Sequence, residues 1–293
     1  MTPDDPFGVD PRAVRKAFNA AARTYDAAAV LQAEVRARLL ERLDAVSVTP
    51  AGILDAGSGT GTAAAGLRSH YPDARIVLLD IAERMLKEAE AGGGTELTHA
   101  VCADAGRLPL ADNSVGLVFS NLMLQWAPDL DRVFLEFRRV LETSGLVVFS
   151  TFGPDTLGEL RAAWSEADGY NHVNRFIDMH DIGDALVRAG FAEPVMDLEH
   201  FTLTYPDLRA LMLDLKAIGA RNATAGRNRS LTGRGRLTAV EKAYRRWRRD
   251  GRLISTWEVI YGIAWVPGTP RGTGQQTSGG EVRVPMDLIP RRR

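Results

Sequence analysis

The chain has very little cysteine: Cys102 is the only one among 293 residues. An intramolecular disulfide is therefore excluded, and the composition fits a reducing compartment. The sequence also lacks an apolar run long enough to cross a membrane, and its first residues lack the apolar core of a secretory signal. These absences predict a cytoplasmic location and no membrane partner.

The chain has almost no net charge, since it contains 36 Lys and Arg residues and 37 Asp and Glu residues. This balance argues against a protein that coats nucleic acid over its whole surface. The basic residues are nevertheless unevenly spread. Residues 221–252 hold eleven Lys or Arg and two acids, a local net charge of +9. Such a segment attracts an acidic partner, although a solvated helix face is the plainer alternative.

Histidine is scarce, and no metal-ligand spacing links the five residues His70, His99, His172, His180 and His200. No nucleophile stands beside a base in a recognisable motif either. The sequence therefore predicts no metal site.

Strand-like and helical patterns alternate through the first half of the chain. Apolar runs predict strands at 52–56, 75–80, 97–103, 115–120 and 145–151. Helical patterns lie between them at 62–69, 82–91 and 130–141. This alternation predicts an α/β fold with a mostly parallel sheet and helices on both faces.

Helical patterns flank this alternation on both sides. Residues 11–45 predict amphipathic helices, with an interruption near 23–26. After residue 153, helical patterns at 157–167, 181–189, 208–218 and 239–247 are mixed with strand-like runs at 195–203 and 253–266. The second half therefore predicts a helical insertion followed by the last strands of the sheet.

A glycine-rich turn follows the first predicted strand, with Gly57, Gly59 and Gly61 alternating with small residues. Glycine lets the backbone approach a ligand closely and tolerates positive φ. The dinucleotide fingerprint has its third glycine one residue later, where Thr62 stands, so the spacing counts against NAD. Asp55, just before the turn, can reach a polar group of the ligand, which predicts a nucleotide-type cofactor.

Two further acidic residues stand at the carboxyl ends of predicted strands. Asp80 lies roughly twenty residues beyond the glycines and can accept from both ribose hydroxyls, or it is a helix N-cap. Asp104 can accept from an adenine amino group, with Cys102 and Ala105 beside the ring, or it is a plain loop acid. Because ligands of open α/β sheets bind outside the carboxyl ends of the strands, three acids at one edge favour a nucleotide site.

This set resembles the class I S-adenosylmethionine-dependent methyltransferases, through Asp55–Gly61, Asp80, Asp104 and Asn121. The resemblance implies a Rossmann-like, mostly parallel seven-stranded sheet whose last strand is antiparallel. It also implies that the methionine part of the cofactor lies over the glycine turn, the ribose at Asp80 and the adenine near Asp104. The cofactor-binding residues it implies are Asp55, Gly57, Ser58, Gly59, Gly61, Asp80, Ile81, Asp104, Ala105, Asn121 and Gln125.

More specific blocks narrow the resemblance: Asn19–Asp26, Ser120–Trp126, Asn174–Phe176, Leu215–Ala220, Ala225–Arg227 and Leu231–Gly233. With them the chain is similar to the malonyl-[acyl carrier protein] O-methyltransferases of biotin synthesis, from about residue 11 to 265. The resemblance implies methylation of the free carboxylate of a malonyl thioester. Two alternatives remain. One is a class I arginine hydroxylase and assembly factor. The other is an RNA methyltransferase, suggested by Tyr244 and Trp247 within the basic segment.

The resemblance divides the chain into four predicted parts. These are an N-terminal helical cap (1–50), an S-adenosylmethionine-binding core (51–152), a substrate-binding insertion with the last strands (153–266) and a flexible tail (267–293).

A malonyl carboxylate is ionised at neutral pH, so catalysis reduces to positioning and exclusion of water. Arg175 is predicted to hold the carboxylate, because arginine offers it a bidentate fork. Tyr25 is predicted to close the site. Lys216, Arg221 and Arg227 are predicted to bind substrate, and the 221–252 region to dock the acidic carrier. For each of these residues a surface charge, or helix packing for Tyr25, is the alternative.

Overall fold

The computed structural model describes residues 8–92, 96–227 and 232–268. Nine α-helices lie within these ranges: α1 Pro11–Ala28, α2 Val30–Glu41, α3 Ala64–His70, α4 Glu83–Ala91, α5 Leu130–Val140, α6 Gly158–Ser165, α7 Met179–Arg188, α8 Leu208–Ala217 and α9 Arg234–Tyr244. The strands there are β1 Gly52–Ala56, β2 Arg75–Asp80, β3 Thr98–Cys102, β4 Val115–Asn121, β5 Leu141–Phe152, β6 Ala192–Tyr205, β7 Arg248–Arg249 and β8 Arg252–Trp265.

One sheet organises these elements, in the order β3-β2-β1-β4-β5-β8-β6. Strands β1 to β5 pair in parallel, whereas β8 is antiparallel to both β5 and β6. This confirms the predicted class I methyltransferase fold with its mostly parallel sheet. The two-residue strand β7, which pairs with β8 outside the seven-strand path, is an addition to the prediction.

Both faces of the sheet are covered, as the long apolar runs of β4 and β5 require. One face packs against α2 and the insertion, with Leu39, Phe119 and Trp257 almost fully buried. The other packs against α5 and α7 through Phe134 and Leu186. The order of the strands reverses beside β1, so the carboxyl ends of β1, β2 and β4 border one crevice, where ligands of such sheets bind.

Several predicted boundaries differ from the structure. Helix α1 continues through 23–26 and ends at Ala28, so the predicted interruption is wrong. Strand β5 begins at Leu141 rather than 145, because its first residue pairs with Val115 directly after α5 ends. Helix α9 begins at Arg234, before the predicted start at 239. The predicted tail lies outside the described residues from 269 onward. Among the described helices, none is long and apolar enough to cross a membrane.

Gly262 in β8 offers a stability test, because it faces Phe149 of β5 across the strand pair. A Cβ at this position would lie 2.2 Å from Cζ of the Phe149 ring. We expect Gly262→Ala to lower the free energy of unfolding by about 3 kcal/mol through overpacking, measured by urea denaturation. Gly183→Ala in α7 is the matched control, since a Cβ there meets nothing within 4 Å. We expect it to gain roughly 0.5 kcal/mol, and equal effects of the two variants would contradict the packing argument.

Candidate active site

The glycine turn after β1 holds three glycines at positive φ: 76° at Gly57, 55° at Gly59 and 75° at Gly61. A Cβ at Gly57 would lie 2.3 Å from Cγ of Met123, and one at Gly61 would lie 2.9 Å from Cβ of Ala89. These two glycines therefore serve packing against neighbouring elements. A Cβ at Gly59 would meet only the Tyr25 ring, at 4.0 Å, so Gly59 keeps open the floor of a cleft.

Asp80, at the end of β2, fixes this turn. Its Oδ2 accepts from the backbone N–H of Gly59 at 3.0 Å, and its Oδ1 accepts from the N–H of Ala82 at 2.7 Å. Loss of hydration raises the pKa of the carboxyl, while these backbone donors oppose the rise. The N-cap of α4 is Ala82 rather than Asp80, so the helix-cap alternative does not describe the residue. Asp80 instead presents a carboxylate to the cleft.

The cleft lies at the carboxyl edge of the sheet and has about 760 Å³ of space, its open mouth included. It is lined by eight residues that the sequence predicts for the site: Tyr25, Gly57, Gly59, Asp80, Ile81, Asp104, Ala105 and Asn121. Four other predicted cofactor residues do not line it: Asp55, Ser58, Gly61 and Gln125. Gln125 turns away because its amide donates to the Leu122 carbonyl and its Oε1 accepts from Thr151.

Helix α1 forms the roof of this cleft, with Pro11, Val14, Phe18 and Tyr25 on one face. Phe18 meets Trp126 edge to face at 5.3 Å between ring centroids. Phe18, Leu122 and Met123 were not among the predicted site residues. The helical spacing from Pro11 to Tyr25 was the available signal, and the predicted helix interruption at 23–26 concealed it.

The Tyr25 hydroxyl lies in a poorly hydrated place near the Asp80 carboxylate, and both effects raise its pKa. The phenol is therefore neutral at physiological pH and can donate a hydrogen bond. The next residue, Asp26, accepts from Thr60 Oγ1 at 2.5 Å, which joins α1 to the glycine turn.

Polar atoms without partners lie buried beneath the glycine turn. Asp55 is 1% exposed, and neither its Oδ2 nor the Ser58 hydroxyl has a hydrogen-bond partner. A ligand that carries polar groups and a positive charge over this turn fits such atoms. Burial, with a smaller contribution from Asp80, raises the pKa of Asp55 to about 7.

The raised pKa of Asp55 predicts a pH dependence of stability. Between its ordinary value of 3.8 and about 7, the folded protein keeps a proton that the unfolded chain has released. The unliganded protein should therefore lose stability as pH rises through this window, by at most roughly 4 kcal/mol. We expect Asp55→Asn to flatten the profile, measured by urea unfolding at about pH 5 and about pH 8. Asp80, with its raised pKa, contributes in the same direction and remains in the variant. An unchanged slope in Asp55→Asn would contradict the assignment.

A second cavity, beside the cleft, is lined by Arg175 and has about 1630 Å³ of space with its mouth. Gln125 and Thr151 form part of its wall. Arg161 also lines it, but its guanidinium donates to the carbonyls of Pro154 and Thr156 and so supports the backbone. Within the described chain, Arg175 is exposed and its guanidinium has no ion-pair partner. Arg175 is therefore the arginine of this cavity that is available to an anion.

A third cavity, here called the aromatic chamber, has about 1350 Å³ of space with its mouth. Its aromatic lining is Trp126, Phe152, Trp164, Phe176 and Trp257. Lys216 and Arg221, both predicted to bind substrate, also line it. Trp126 is shared with the cofactor cleft, and Phe152 and Phe176 are shared with the Arg175 cavity. The aromatic chamber therefore borders the cofactor cleft at Trp126 and the Arg175 cavity at Phe152 and Phe176.

Arg227, the third residue predicted to bind substrate, lines none of these spaces. Its guanidinium donates to the Thr224 carbonyl at 2.7 Å and to Asp10 at 3.2 Å. The ion pair with Asp10 anchors the start of α1, and a role of Arg227 in substrate binding stays a prediction.

The described residues contain one group with metal-ligand spacing, Asp155, His200 and Glu258, whose ligand atoms lie within 4.8 Å of one another. Glu258 already accepts from the Asp155 backbone N–H at 2.6 Å. The group has a structural use in holding the loop after β5, and the absence of a metal site stays a prediction.

Comparison with known proteins identifies the family. A family described as "Methyltransferase domain" matches residues 54–149. The chain is 55% identical to a malonyl-[acyl-carrier protein] O-methyltransferase from Methylovorus sp. (strain MP688), over 90% of this chain and 91% of that protein. It is 49% identical to the protein of the same name from Halorhodospira halophila, over the full length of both. A putative methyltransferase from Bacillus halodurans has the same fold, with a TM-score of 0.58 at 20% identity over 79% of this chain and 98% of that chain.

Proposed function

This chain belongs to the malonyl-[acyl-carrier protein] O-methyltransferase family, and we propose that it methylates the free carboxylate of malonyl-[acyl carrier protein], with S-adenosylmethionine as donor. The product is the malonyl methyl ester that primes pimeloyl and biotin synthesis. One observation supports this most directly: the aromatic chamber shares Trp126 with the cofactor cleft and shares Phe152 and Phe176 with the Arg175 cavity. An extended thioester with a terminal carboxylate can occupy such a junction.

The residues of the cleft fit S-adenosylmethionine. Asp80, held by the N–H groups of Gly59 and Ala82, keeps lone pairs for ribose hydroxyls. Asp104 and Ala105 line the cleft and would meet the adenine. Asp55 and Ser58 do not line it, but their unpartnered polar atoms lie buried at the glycine turn, under the proposed position of the methionine part. When bound, this cofactor supplies an electrophilic methyl group.

The acceptor needs no general base, since a carboxylate is already ionised at neutral pH. The task of the protein is therefore to orient the carboxylate and to exclude water from it. Arg175 holds and orients the anion through its fork of donors. Phe18 and Trp126 exclude water at the boundary between cleft and chamber, and the neutral Tyr25 hydroxyl donates a hydrogen bond to a reactant.

The basic 221–252 region is proposed to attract the acidic carrier over a distance. Part of its charge is neutralised within the protein, because Arg246 pairs with Glu166 and Arg236 lies 3.8 Å from Asp168. Tyr244 is buried and donates to the Ile254 carbonyl, so it is not exposed as a stacking platform for RNA bases. We further propose a cytoplasmic location, consistent with the single free cysteine.

The test is incubation of the purified protein with S-adenosylmethionine and malonyl-carrier, followed by intact-mass analysis. The expected product has gained one methyl group, and base treatment removes it as an ester. Succinyl-carrier, in which the carboxylate stands one methylene further out, is the matched control. An unmodified malonyl-carrier together with an oxygenated arginine in a partner protein would support the hydroxylase alternative instead.

A further inference from the structure

Helix α8 has two distinct faces. Leu208, Leu211 and Leu215 are buried against the protein. The opposite side exposes Arg209, Met212, Leu213 and Lys216, which follow the i, i+3, i+4, i+7 spacing of a single helical stripe. Met212 is 36% exposed and Leu213 is 49% exposed. We call these four residues the α8 stripe: two apolar side chains flanked by two cations.

The cations of the α8 stripe are available for a partner. Neither Arg209 nor Lys216 has a side-chain hydrogen bond or ion pair within the described part of the chain, and the same holds for the neighbouring Arg221. Some cations of the basic 221–252 region have partners within the protein. Arg246 pairs with Glu166 at 2.5 Å, and Arg248 donates to the Gly251 and Pro206 carbonyls. Arg245 and Arg249 also have no ion pair or side-chain hydrogen bond among the described residues, so α8 is distinguished by its place at the aromatic chamber and not by free charge alone.

The α8 stripe also borders the aromatic chamber, since all four of its residues line that space. The rest of the chamber wall includes side chains held by stacking and hydrogen bonds. The His172 ring lies flat on Trp164 at 3.6 Å, and its Nε2 lies 2.7 Å from Asp168. Asn222 donates to the Asn171 carbonyl and closes the side of the chamber. A partner seated on α8 therefore stands directly over the chamber entrance.

We infer that the α8 stripe is the contact surface for an acidic helix of the carrier protein, and that the acyl-bearing arm enters the aromatic chamber beside Leu213. This inference rests on the proposed function and locates its partner. Charge complementarity selects an acidic partner, and the exposed Met212 and Leu213 match an apolar residue between its acids. The basic 221–252 region then speeds the association of the two proteins, while α8 makes the direct contacts with the carrier.

The test compares two substrates and two double variants. The first double variant, Arg209→Glu with Leu213→Glu, alters the α8 stripe. The second, Leu237→Glu with Arg245→Glu, exchanges the same residue types outside the stripe. Leu237 lies on α9 and is 39% exposed, and Arg245 directly follows α9. The substrates are malonyl-carrier and malonyl-pantetheine, which has the arm without the carrier. We expect the stripe variant to raise KM for malonyl-carrier by roughly tenfold or more and KM for malonyl-pantetheine by roughly threefold or less, because the two substrates share only the contacts of the arm beside Leu213. The α9 variant should raise KM for malonyl-carrier by roughly threefold or less.

Two results would overturn the inference: an equal loss on both substrates for the stripe variant, or a larger loss on malonyl-carrier for the α9 variant. Thermal unfolding and the Kd for S-adenosylmethionine verify that both variants are folded. Binding of unacylated carrier to the wild type and to both variants provides a readout without catalysis. Carrier binding that depends on α8, with neither malonyl thioester methylated by the wild type, would refute the proposed function and leave the docking surface standing.

Discussion

Asp80→Asn is expected to weaken binding of S-adenosylmethionine by roughly 10² to 10⁴-fold, because two charge-assisted hydrogen bonds to the ribose are lost at about 1.5–3 kcal/mol each. Asparagine keeps the shape of the side chain but replaces one acceptor oxygen with a donor. That donor must face the N–H of Gly59 or of Ala82, both of which now donate to the carboxylate. The glycine turn would be pushed away at the place where the cofactor needs it, and calorimetric titration measures the loss.

Asp104→Asn is the control for this prediction. Asp104 lines the same cleft but is exposed, and one oxygen accepts from the Gly106 N–H at 2.8 Å. We expect a loss of affinity of roughly tenfold or less, since solvent can replace its contact to the ligand. Thermal unfolding of the unliganded variants distinguishes two causes of weaker binding. A variant with a damaged glycine turn should unfold at a lower temperature, whereas one that lacks only a contact to the ligand should not. Equal and small losses for the two variants would contradict the placement of the ribose at Asp80.

Arg175→Ala is expected to lower kcat/KM for malonyl-carrier on the order of 10² to 10³-fold, because the substrate carboxylate loses its charge partner. Arg175→Lys should recover only part of the loss, as a point charge cannot reproduce the planar fork. The Kd for S-adenosylmethionine should stay unchanged in both variants, because Arg175 does not line the cofactor cleft. Steady-state kinetics together with calorimetry measure the two effects separately.

Arg188→Ala controls for the loss of an arginine in this half of the protein. Arg188 forms a surface ion pair with Asp131 at 2.8 Å and lines none of the three spaces. The Arg188→Ala variant should leave kcat/KM for malonyl-carrier unchanged. If Arg175→Ala retains activity within roughly threefold of the wild type, the carboxylate is held instead from the chamber side, by Lys216 or Arg221.

The parallel core could be predicted because its signals are local. Apolar runs, the glycine turn and acids at strand ends recur at short spacing, and parallel pairing brings those ends to one edge. Asp80 and Asp104 were found by this reasoning, and both line the cleft. The same reasoning could not separate Gly59 from Gly61, because the difference lies in what each Cβ would meet: an open floor in one case and Ala89 of α4 in the other.

Ion pairs between residues that are far apart in the chain could not be predicted from the sequence. Arg227 was predicted to bind substrate from its place after the fifth strand, and its ion pair with Asp10, 217 residues away, could not be foreseen. The fate of each cation in the basic region likewise depends on acids such as Glu166 that approach only in the fold. Tyr25 was predicted to close the site, but Phe18 in the same roof was missed for another reason. Residues 23–26 looked like an interruption, whereas the Thr24 hydroxyl lies 3.0 Å from the Ala21 carbonyl within α1 and 3.0 Å from the Ala217 carbonyl of α8, and can donate to either.

Helix α1 is attached at both ends of its length to different parts of the protein. Near its start, Asp10 donates its N–H to the Ala223 carbonyl and Gly8 accepts from Ala225 beside the chamber. Near its end, Asp26 accepts from Thr60 in the glycine turn. If the roof lifts when the spent cofactor leaves, the same movement pulls on residues 223–225, which follow Asn222 of the chamber wall. We therefore expect the two products to leave in a single relaxation, with one rate constant for both.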